Sequence, residues 1–285
     1  MTKTITVAGD LRVNRIGYGT MRLADAAVWH GPADRDAAIT VLRGAIELGV
    51  NFVDTSDAYA LGESEQLIAE ALHPYGEDLV IATKVGVTRP SPAEWEPLGH
   101  PAYLRQQAEL SLRRLKLDHI DLLQLHRIDP KVPLADQIGA LRQLLDEGKV
   151  RHIGLSEATV EQIREAVEIA PIASVQNQYS LATRHEEPVL DYTAAQGITF
   201  IPYFPVAMVD TAAGSPVATV AAEIGATATQ TALAWLLHRS PTVLPIPGTT
   251  SLSHLRENVA AADLQLSDEQ FERLSASVAA PVAAP

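Results

Sequence analysis

Cysteine is absent from the 285 residues of the chain. Disulfides and thiolate metal sites are therefore excluded, and a chain without a disulfide framework is expected in the cytoplasm. Long apolar runs are absent as well, since none approaches the roughly 18 residues of a membrane-spanning helix. The first residues also lack the apolar stretch of a secretory signal. We expect neither a membrane span nor a signal peptide.

An excess of positive charge is also missing. The chain has 22 Lys and Arg against 35 Asp and Glu, which gives a formal net charge of -13. Because nucleic acids attract basic surfaces, this balance argues against a nucleic-acid partner. An acidic surface otherwise mainly favours solubility. We expect a small-molecule substrate and a monomer or weak homo-oligomer.

Two common site motifs are missing. None of the nine histidines forms an HxH or HExxH pattern, which argues against a metal-dependent isomerase or hydrolase. No GxGxxG motif lies between a strand and a helix, because the nearest match, Gly17-Tyr18-Gly19, lacks the third glycine. We therefore expect no metal, and a doubly wound dinucleotide-binding fold is disfavoured.

Strand-like and helix-like segments alternate along the chain. Short β-prone runs bounded by turn residues are each followed by apolar residues at helical spacing. The predicted strands lie at 15–19, 51–53, 79–83, 120–125, 152–155, 174–175, 198–201 and 243–246. Strands separated by helices pair in parallel, and eight such units favour closure into a (β/α)8 TIM barrel.

The whole chain, residues 1–285, is predicted to be one such α/β domain. A β-hairpin over Thr4–Val7 and Leu11–Val13 precedes the barrel, and extra helices follow near the C-terminus. Residues 278–285 are small and interrupted by proline, so we expect a frayed tail there.

Ionisable residues follow three successive predicted strands. Asp54, Lys84 and His126 come directly after the second, third and fourth strands, and Tyr59 lies five residues past Asp54. In a barrel the carboxyl ends of the strands share one rim, so these side chains can converge there. Any one of them alone is more simply a structural ion pair or a hydrogen-bonded histidine. Their order on successive strands favours a catalytic group.

The sequence resembles the aldo-keto reductase superfamily over nearly its whole length. The motifs are Val53-Asp54-Thr-Ser-Asp-Ala-Tyr59, Ala82-Thr83-Lys84, Leu125-His126, Ile153-Gly-Leu-Ser156, Val175-Gln176-Asn177-Gln178-Tyr179, and Ile246-Pro-Gly-Thr-Thr with Glu257-Asn258. A second set of motifs is similar to the bacterial pyridoxal reductase subgroup: Asn14-Arg-Ile-Gly-Tyr-Gly, Ile153-Gly-Leu-Ser, Ala234-Trp-Leu-Leu, and Ile246-Pro-Gly-Thr-Thr-Ser with His254-Leu-Arg-Glu-Asn258. The resemblance implies an NAD(P)-dependent oxidoreductase that reduces an aldehyde or ketone to the alcohol.

The resemblance also implies a role for each rim residue. Tyr59 would be the general acid that protonates the carbonyl oxygen as hydride arrives from the nicotinamide. The ammonium of Lys84 would lower the pKa of that phenol from its usual value of about 10. Asp54 would hold Lys84 in position, and His126 would orient the carbonyl.

A cofactor site is implied at the remaining strand ends. Tyr203 would stack on the nicotinamide, and Ser156 and Gln176 would bind its carboxamide. The expected cofactor contacts are Gly19, Thr20, Met21, Ser156, Glu157, Gln176, Tyr203, Phe204, Pro205, Val206, Ile246, Gly248, Thr249, Thr250, His254, Glu257 and Asn258.

Three of these positions depart from the family pattern. Glu157 stands where many members have asparagine, and we expect its carboxylate to favour the cationic, oxidised ring. Gly248 and His254 replace a lysine and an arginine that commonly hold the 2′-phosphate, although Arg256 could substitute. NADPH/NADP+ is the expected cofactor and NAD the alternative.

Aromatic residues in the rim loops suggest a planar or ring-bearing substrate. Trp29, Trp95 and Arg127 are the expected pocket residues, and Gly86–His100 is the expected variable loop. Loop tryptophans are just as often packing covers for their own loop. A non-catalytic cofactor-binding protein on the same barrel is one alternative, and a reductase of a keto-sugar or natural-product intermediate is another.

Overall fold

A computed structural model of the protein describes residues 3–277. The predicted N-terminal hairpin is confirmed. Strand β1 (Thr4–Val7) pairs antiparallel with β2 (Leu11–Asn14), so that Thr4 lies opposite Asn14. The apolar side of the hairpin is buried against inward-facing residues of the barrel strands, including Phe52 and Leu122. The hairpin therefore covers the amino-terminal end of the barrel and leaves the other end for the site.

Nine further strands follow within the described residues. They are β3 (Tyr18–Gly19), β4 (Phe52–Asp54), β5 (Val80–Val85), β6 (Val87–Thr88), β7 (Glu96–Pro97), β8 (Ile120–Leu125), β9 (Val150–Ser156), β10 (Ile172–Gln176) and β11 (Thr199–Phe200). All except β6 and β7 form one parallel sheet in the order β11-β10-β9-β8-β5-β4-β3. Neighbours in this sheet follow one another along the chain, as barrel strands do.

Residues 243–246 close the barrel without forming a regular strand. Val243 makes a parallel bridge to Phe200, and the Leu244 N–H donates to the carbonyl of Phe200 at 2.9 Å. On the other side, the Gly17 N–H donates to the carbonyl of Pro245 at 2.9 Å. Proline lacks the N–H that a continuous ladder needs, which explains why this strand is irregular. The predicted (β/α)8 barrel is confirmed.

The helices cover the outside of the sheet. Within residues 3–277 they are α1 (Arg35–Glu47), α2 (Glu63–Leu72), α3 (Pro101–Leu115), α4 (Leu134–Asp146), α5 (Val160–Val167), α6 (Glu187–Gln196), α7 (Pro216–Ile224), α8 (Ala228–Arg239), α9 (Leu252–Ala260) and α10 (Asp268–Ala276). Thr159, Thr227 and Ser267 each start a helix with a capping box, in which the side chain and a glutamine three residues later satisfy free N–H groups. The predicted extra C-terminal helices are present.

The structure differs from the predicted elements in several places. The first predicted strand, 15–19, is shortened to Tyr18–Gly19. Strand β5 runs two residues further than predicted, so Lys84 lies inside the strand. The segment 86–100, predicted as the variable substrate loop, contains the antiparallel pair β6 and β7, with Val87 opposite Pro97. The predicted frayed tail lies outside the described residues. Among the residues that are described, no helix is both long and apolar enough to cross a membrane.

Candidate active site

Four predicted residues meet at the carboxyl ends of β4, β5 and β8. Asp54 ends β4, Lys84 lies near the end of β5, His126 follows β8, and Tyr59 occupies the turn after β4. Each of the four side chains is at most 6% exposed. Lys84 Nζ donates to Asp54 Oδ1 at 2.5 Å and lies 3.5 Å from the Tyr59 hydroxyl. The Tyr59 and His126 rings meet edge to face with their centroids 5.9 Å apart.

The turn that carries Tyr59 has an unusual backbone. Ala60, Leu61 and Gly62 have φ values of 49°, 51° and 93°, the left-handed region that costs non-glycine residues about 1–2 kcal/mol each. Such residues persist only where their surroundings hold them. Here the Ala60 N–H donates to the carbonyl of Val28 at 3.0 Å. The strained turn reverses the chain at Tyr59 and leads it into α2.

Burial raises the pKa of the Tyr59 phenol, and the opposing effect of Lys84 is too small to reverse it. The predicted lowering of this pKa is therefore wrong. Asp54 cancels the Lys84 charge, so the phenol faces an ion pair rather than a free cation, while burial penalises the phenolate. Burial alone would lower the pKa of Lys84, but Asp54 and Tyr59 together raise it. At neutral pH the phenol is protonated and the ammonium is charged.

Two glutamines hold the other oxygen of Asp54. Gln176 Nε2 and Gln124 Nε2 donate to Asp54 Oδ2 at 2.9 and 3.1 Å. Gln176 Nε2 also lies 3.2 Å from Gln124 Oε1. Because both carboxylate oxygens are occupied, Asp54 has a fixed orientation towards Lys84. Sequence reasoning missed Gln124. The feature that could have indicated it is a single amide side chain within the otherwise apolar end of the strand Ile120–Leu125.

Ser56 is a second residue that sequence reasoning missed. Its Oγ lies 3.0 Å from His126 Nδ1, and the Ala58 N–H donates to the same oxygen at 3.1 Å. Burial, reinforced by the charges of Lys84 and Arg127, holds the pKa of His126 well below its usual range. The imidazole is thus neutral at neutral pH, with Nδ1 occupied by Ser56. No sequence pattern pointed to Ser56, because its contact with His126 crosses between two strands.

The depressed pKa of His126 makes stability depend on pH. The unfolded chain takes up a proton on this imidazole below about pH 6.5 and the folded protein does not. We expect the free energy of unfolding to fall below pH 6.5, by up to about 1.4 kcal/mol per pH unit from this group. Urea unfolding at several pH values between 7 and 5 should show a shallower fall in His126→Gln. The exposed His254, changed to Gln, is the control; equal slopes in all three proteins would contradict the expectation.

A cavity of about 600 Å³ opens above the four residues. Asp54, Tyr59 and His126 form part of its wall, while Lys84 lies behind them. The predicted residues that also line the cavity are Gly19, Met21, Ser156, Gln176, Tyr203, Phe204, Pro205, Val206, Ile246, Gly248, Trp95 and Arg127. One cavity therefore joins the candidate catalytic group to much of the expected cofactor site.

The comparison with known proteins identifies the family of the chain. The model of the Aldo/keto reductase family matches residues 15–279. The chain belongs to the aldo/keto reductase family. The predicted resemblance is confirmed, and so is the predicted class of enzyme, an NAD(P)-dependent oxidoreductase.

Three similar proteins illustrate this membership. An uncharacterised oxidoreductase of Schizosaccharomyces pombe is 48% identical over 267 residues, which cover 93% of this chain and 87% of that protein. Pyridoxine 4-dehydrogenase of Escherichia coli is 45% identical over 280 residues, covering 96% and 98% respectively. The structure of an aldo-keto reductase from Klebsiella pneumoniae in complex with NADPH superposes with a TM-score of 0.82 at 28% identity, covering 97% of this chain and 95% of that one.

The remaining predicted cofactor and substrate residues do not line the cavity. They are Thr20, Glu157, Thr249, Thr250, His254, Glu257, Asn258 and Trp29. Glu157 is the most informative of them. It has a φ of 54°, and its Oε1 accepts the Gln178 N–H at 3.1 Å. Asparagine tolerates this left-handed conformation better than glutamate, which gives a physical reason for the asparagine found in many members.

Arg127 contacts a residue expected to bind the cofactor. Its Nη1 donates to the carbonyl of His126 at 2.6 Å and to Ser156 Oγ at 3.2 Å. The guanidinium therefore lies on the cavity wall between the candidate catalytic group and the expected carboxamide site.

Among residues 3–277, no group of three or more His, Asp or Glu side chains is arranged to hold a metal ion.

Proposed function

We propose that this member of the family is an NADPH-dependent carbonyl reductase with Tyr59 as its general acid. The observation that carries the proposal is the buried contact between the Lys84–Asp54 ion pair and the Tyr59 hydroxyl at the wall of the cavity. A phenol and a neutral imidazole on one wall, with a fixed cation behind them, form a proton-donating group suited to a carbonyl oxygen.

The residues of the cavity fit a nicotinamide cofactor. Ser156 offers a hydroxyl, and Gln176 commits its Nε2 to Asp54 and Gln124, which leaves its carbonyl oxygen to accept. A primary amide such as the carboxamide both donates and accepts, so it matches this pair. Tyr203 supplies an aromatic face on the same wall. When bound, the cofactor supplies the hydride.

Tyr59 would hold the proton until the carbonyl oxygen becomes basic. Because burial raises its pKa, the phenol is a weak acid towards a neutral carbonyl. It becomes an adequate donor once negative charge develops on that oxygen during hydride transfer. The phenolate left behind would face the Lys84 ammonium, which lies 3.5 Å from the hydroxyl oxygen. His126, neutral and anchored by Ser56, would orient the carbonyl.

NADPH is proposed over NADH as the reduced cofactor. The similar Klebsiella pneumoniae reductase is described in complex with NADPH, which supports this choice. His254 and Arg256 are both exposed at the start of α9 and would meet the 2′-phosphate. The glycine at 248 offers no charge there, so NADH remains the competing cofactor.

A ring-bearing aldehyde or ketone is the proposed substrate. Trp95 meets the Tyr59 ring at 6.3 Å and the His126 ring at 6.1 Å between centroids, so an aromatic wall stands beside the candidate catalytic group. The relative from Escherichia coli is a pyridoxine 4-dehydrogenase, which supports a pyridoxal-like compound as the first choice.

The test is a hydride-transfer screen on the purified protein. NADPH and NADH are offered at equal concentration with pyridoxal, an aromatic aldehyde, methylglyoxal and a keto-sugar, and loss of the reduced cofactor is followed by its absorbance. We expect turnover of the ring-bearing aldehydes, faster with NADPH. Tight binding of either cofactor with no turnover of any carbonyl would contradict a catalytic role and favour a non-catalytic binding protein.

A further inference from the structure

Arg89 joins two loops at the mouth of the cavity. It lies between β6 and β7 and is 7% exposed. Its guanidinium donates to four backbone carbonyls, each at 2.9 Å: those of Ala27 and Val28 in one loop and those of Pro92 and Glu94 in the other. Hydrogen bonds from a charged donor are about twice as strong as neutral ones, so this contact holds the two loops in one relative position.

The same guanidinium covers one face of Trp95. Its Cζ lies 3.6 Å from the centre of the Trp95 ring, within the range of a cation–π contact. Trp95 is 39% exposed and stands on a loop, and the Arg89 guanidinium packs against one of its faces. Its ring in turn meets Tyr59 and His126 edge to face.

Arg89 also reaches the Tyr59 turn through Val28. Val28 has a φ of 54°, which is strained for a β-branched residue, and its carbonyl accepts both Arg89 Nη1 and the N–H of Ala60. Ala60 follows Tyr59 directly and is itself left-handed. A single carbonyl thus links the guanidinium to the backbone that carries the proposed general acid.

We propose that Arg89 is a positioning residue that sets the substrate-facing wall of the cavity. Arg89 does not itself line the cavity, but four residues that contact it do. It donates hydrogen bonds to the carbonyls of Ala27, Val28 and Pro92, and it stacks on the ring of Trp95. The role therefore passes through these neighbours. The inference rests on the proposed function, because it is the carbonyl substrate that this wall would contact.

A lysine cannot replace Arg89 in this geometry. The arrangement needs a planar group that stacks on an indole while donating in its own plane to four acceptors, and an ammonium offers three donors from one point. Arg89→Lys is the first variant for this reason, and Arg89→Gln is the second should the lysine protein fail to fold.

Arg184 provides a matched control outside the site. Its Cζ lies 4.7 Å from the Trp235 ring, and it donates to the carbonyls of Leu181, Leu274 and Ser275. Arg184→Lys thus removes the same kind of contact, away from the cavity wall.

The decisive measurement separates KM from kcat in the holoenzyme. We expect Arg89→Lys to raise KM for an aromatic aldehyde about tenfold or more, with NADPH affinity within about twofold of the original and kcat for methylglyoxal little changed. Arg184→Lys should leave the KM for the aromatic aldehyde, the NADPH affinity and the kcat for methylglyoxal unchanged. The KM effect should largely vanish when Arg89→Lys is made in a Trp95→Ala protein, because the two residues act as one unit. An equal KM effect with and without Trp95 would overturn the proposal.

A second readout needs no turnover. Acrylamide quenching of tryptophan fluorescence should increase in Arg89→Lys, and most of the increase should be absent in the double variant with Trp95→Ala, because the Arg89 Cζ lies 3.6 Å from the centre of the Trp95 ring and 5.6 Å from that of Trp29. Unchanged quenching would overturn the role of Arg89 whether or not the wild type reduces a carbonyl. Absence of turnover in the wild type with increased quenching in the variant would instead count against the proposed function alone.

Discussion

Replacing Tyr59 with phenylalanine is expected to lower kcat about 10²- to 10⁴-fold, the usual contribution of a positioned general acid. The change removes one hydroxyl and keeps the ring against Trp95 and His126. Affinity for NADPH should stay within about twofold, because the proton-donating oxygen contributes to the transition state and little to cofactor binding. Steady-state kinetics and cofactor titration by fluorescence measure the two effects.

Tyr75→Phe is the matched control for this result. The Tyr75 hydroxyl also donates a hydrogen bond in the protein, to the carbonyl of Leu115 at 2.6 Å, but it lies away from the cavity. This control should lose some stability and keep its turnover. Turnover in Tyr59→Phe close to that of Tyr75→Phe would remove Tyr59 from the proposed mechanism.

Replacing Lys84 with methionine is expected to destabilise the protein by about 3–5 kcal/mol, because a buried carboxylate is left without its cation. Asp54 and Lys84 are 2% and 1% exposed, and their ion pair is 2.5 Å long. In a domain of this size the loss corresponds to a fall in Tm of about 10 °C. Thermal and urea unfolding measure it, and carbonyl reduction should fall as well, since the phenolate of Tyr59 loses its stabilising charge.

Lys3 provides the control for the ion pair. It forms an equally short bridge to Asp263, but these two side chains are 76% and 64% exposed. Lys3→Met should change stability by less than about 0.5 kcal/mol, as exposed pairs generally do. The double variant Asp54→Leu with Lys84→Met should recover part of the lost stability, because no charge is then left buried. Equal losses in Lys3→Met and Lys84→Met would show that burial does not govern this pair.

Asp54 and Lys84 illustrate what could be predicted from the order of residues along the chain. Asp54 and Lys84 follow predicted strands, and a closed parallel barrel brings strand ends to one rim whatever the details of packing. Their meeting required only the correct fold and the correct strand order. The same holds for Ser156 and Gln176, which follow their own strands and line the same cavity.

The pKa of Tyr59 illustrates what residue order could not decide. A lysine beside a phenol predicts a lowered pKa, yet burial raises it. The outcome depends on how much water reaches the hydroxyl and on how completely Asp54 cancels the lysine charge. Both are properties of the closed site and of its distances, and neither is encoded by the spacing of the three residues.

The sequence itself determined the alternation of strands and helices, and with it the barrel, because hydrophobic periodicity and turn residues act locally. The family was indicated by the resemblance of short motifs at the predicted strand ends. Contacts between loops were decided only by the tertiary structure. Arg89 satisfies four carbonyls from two segments that are distant along the chain, and Ser56, after β4, meets His126, after β8, although β5 lies between these two strands. Such contacts have no period in the sequence, since they form only after the barrel has closed and brought its loops together.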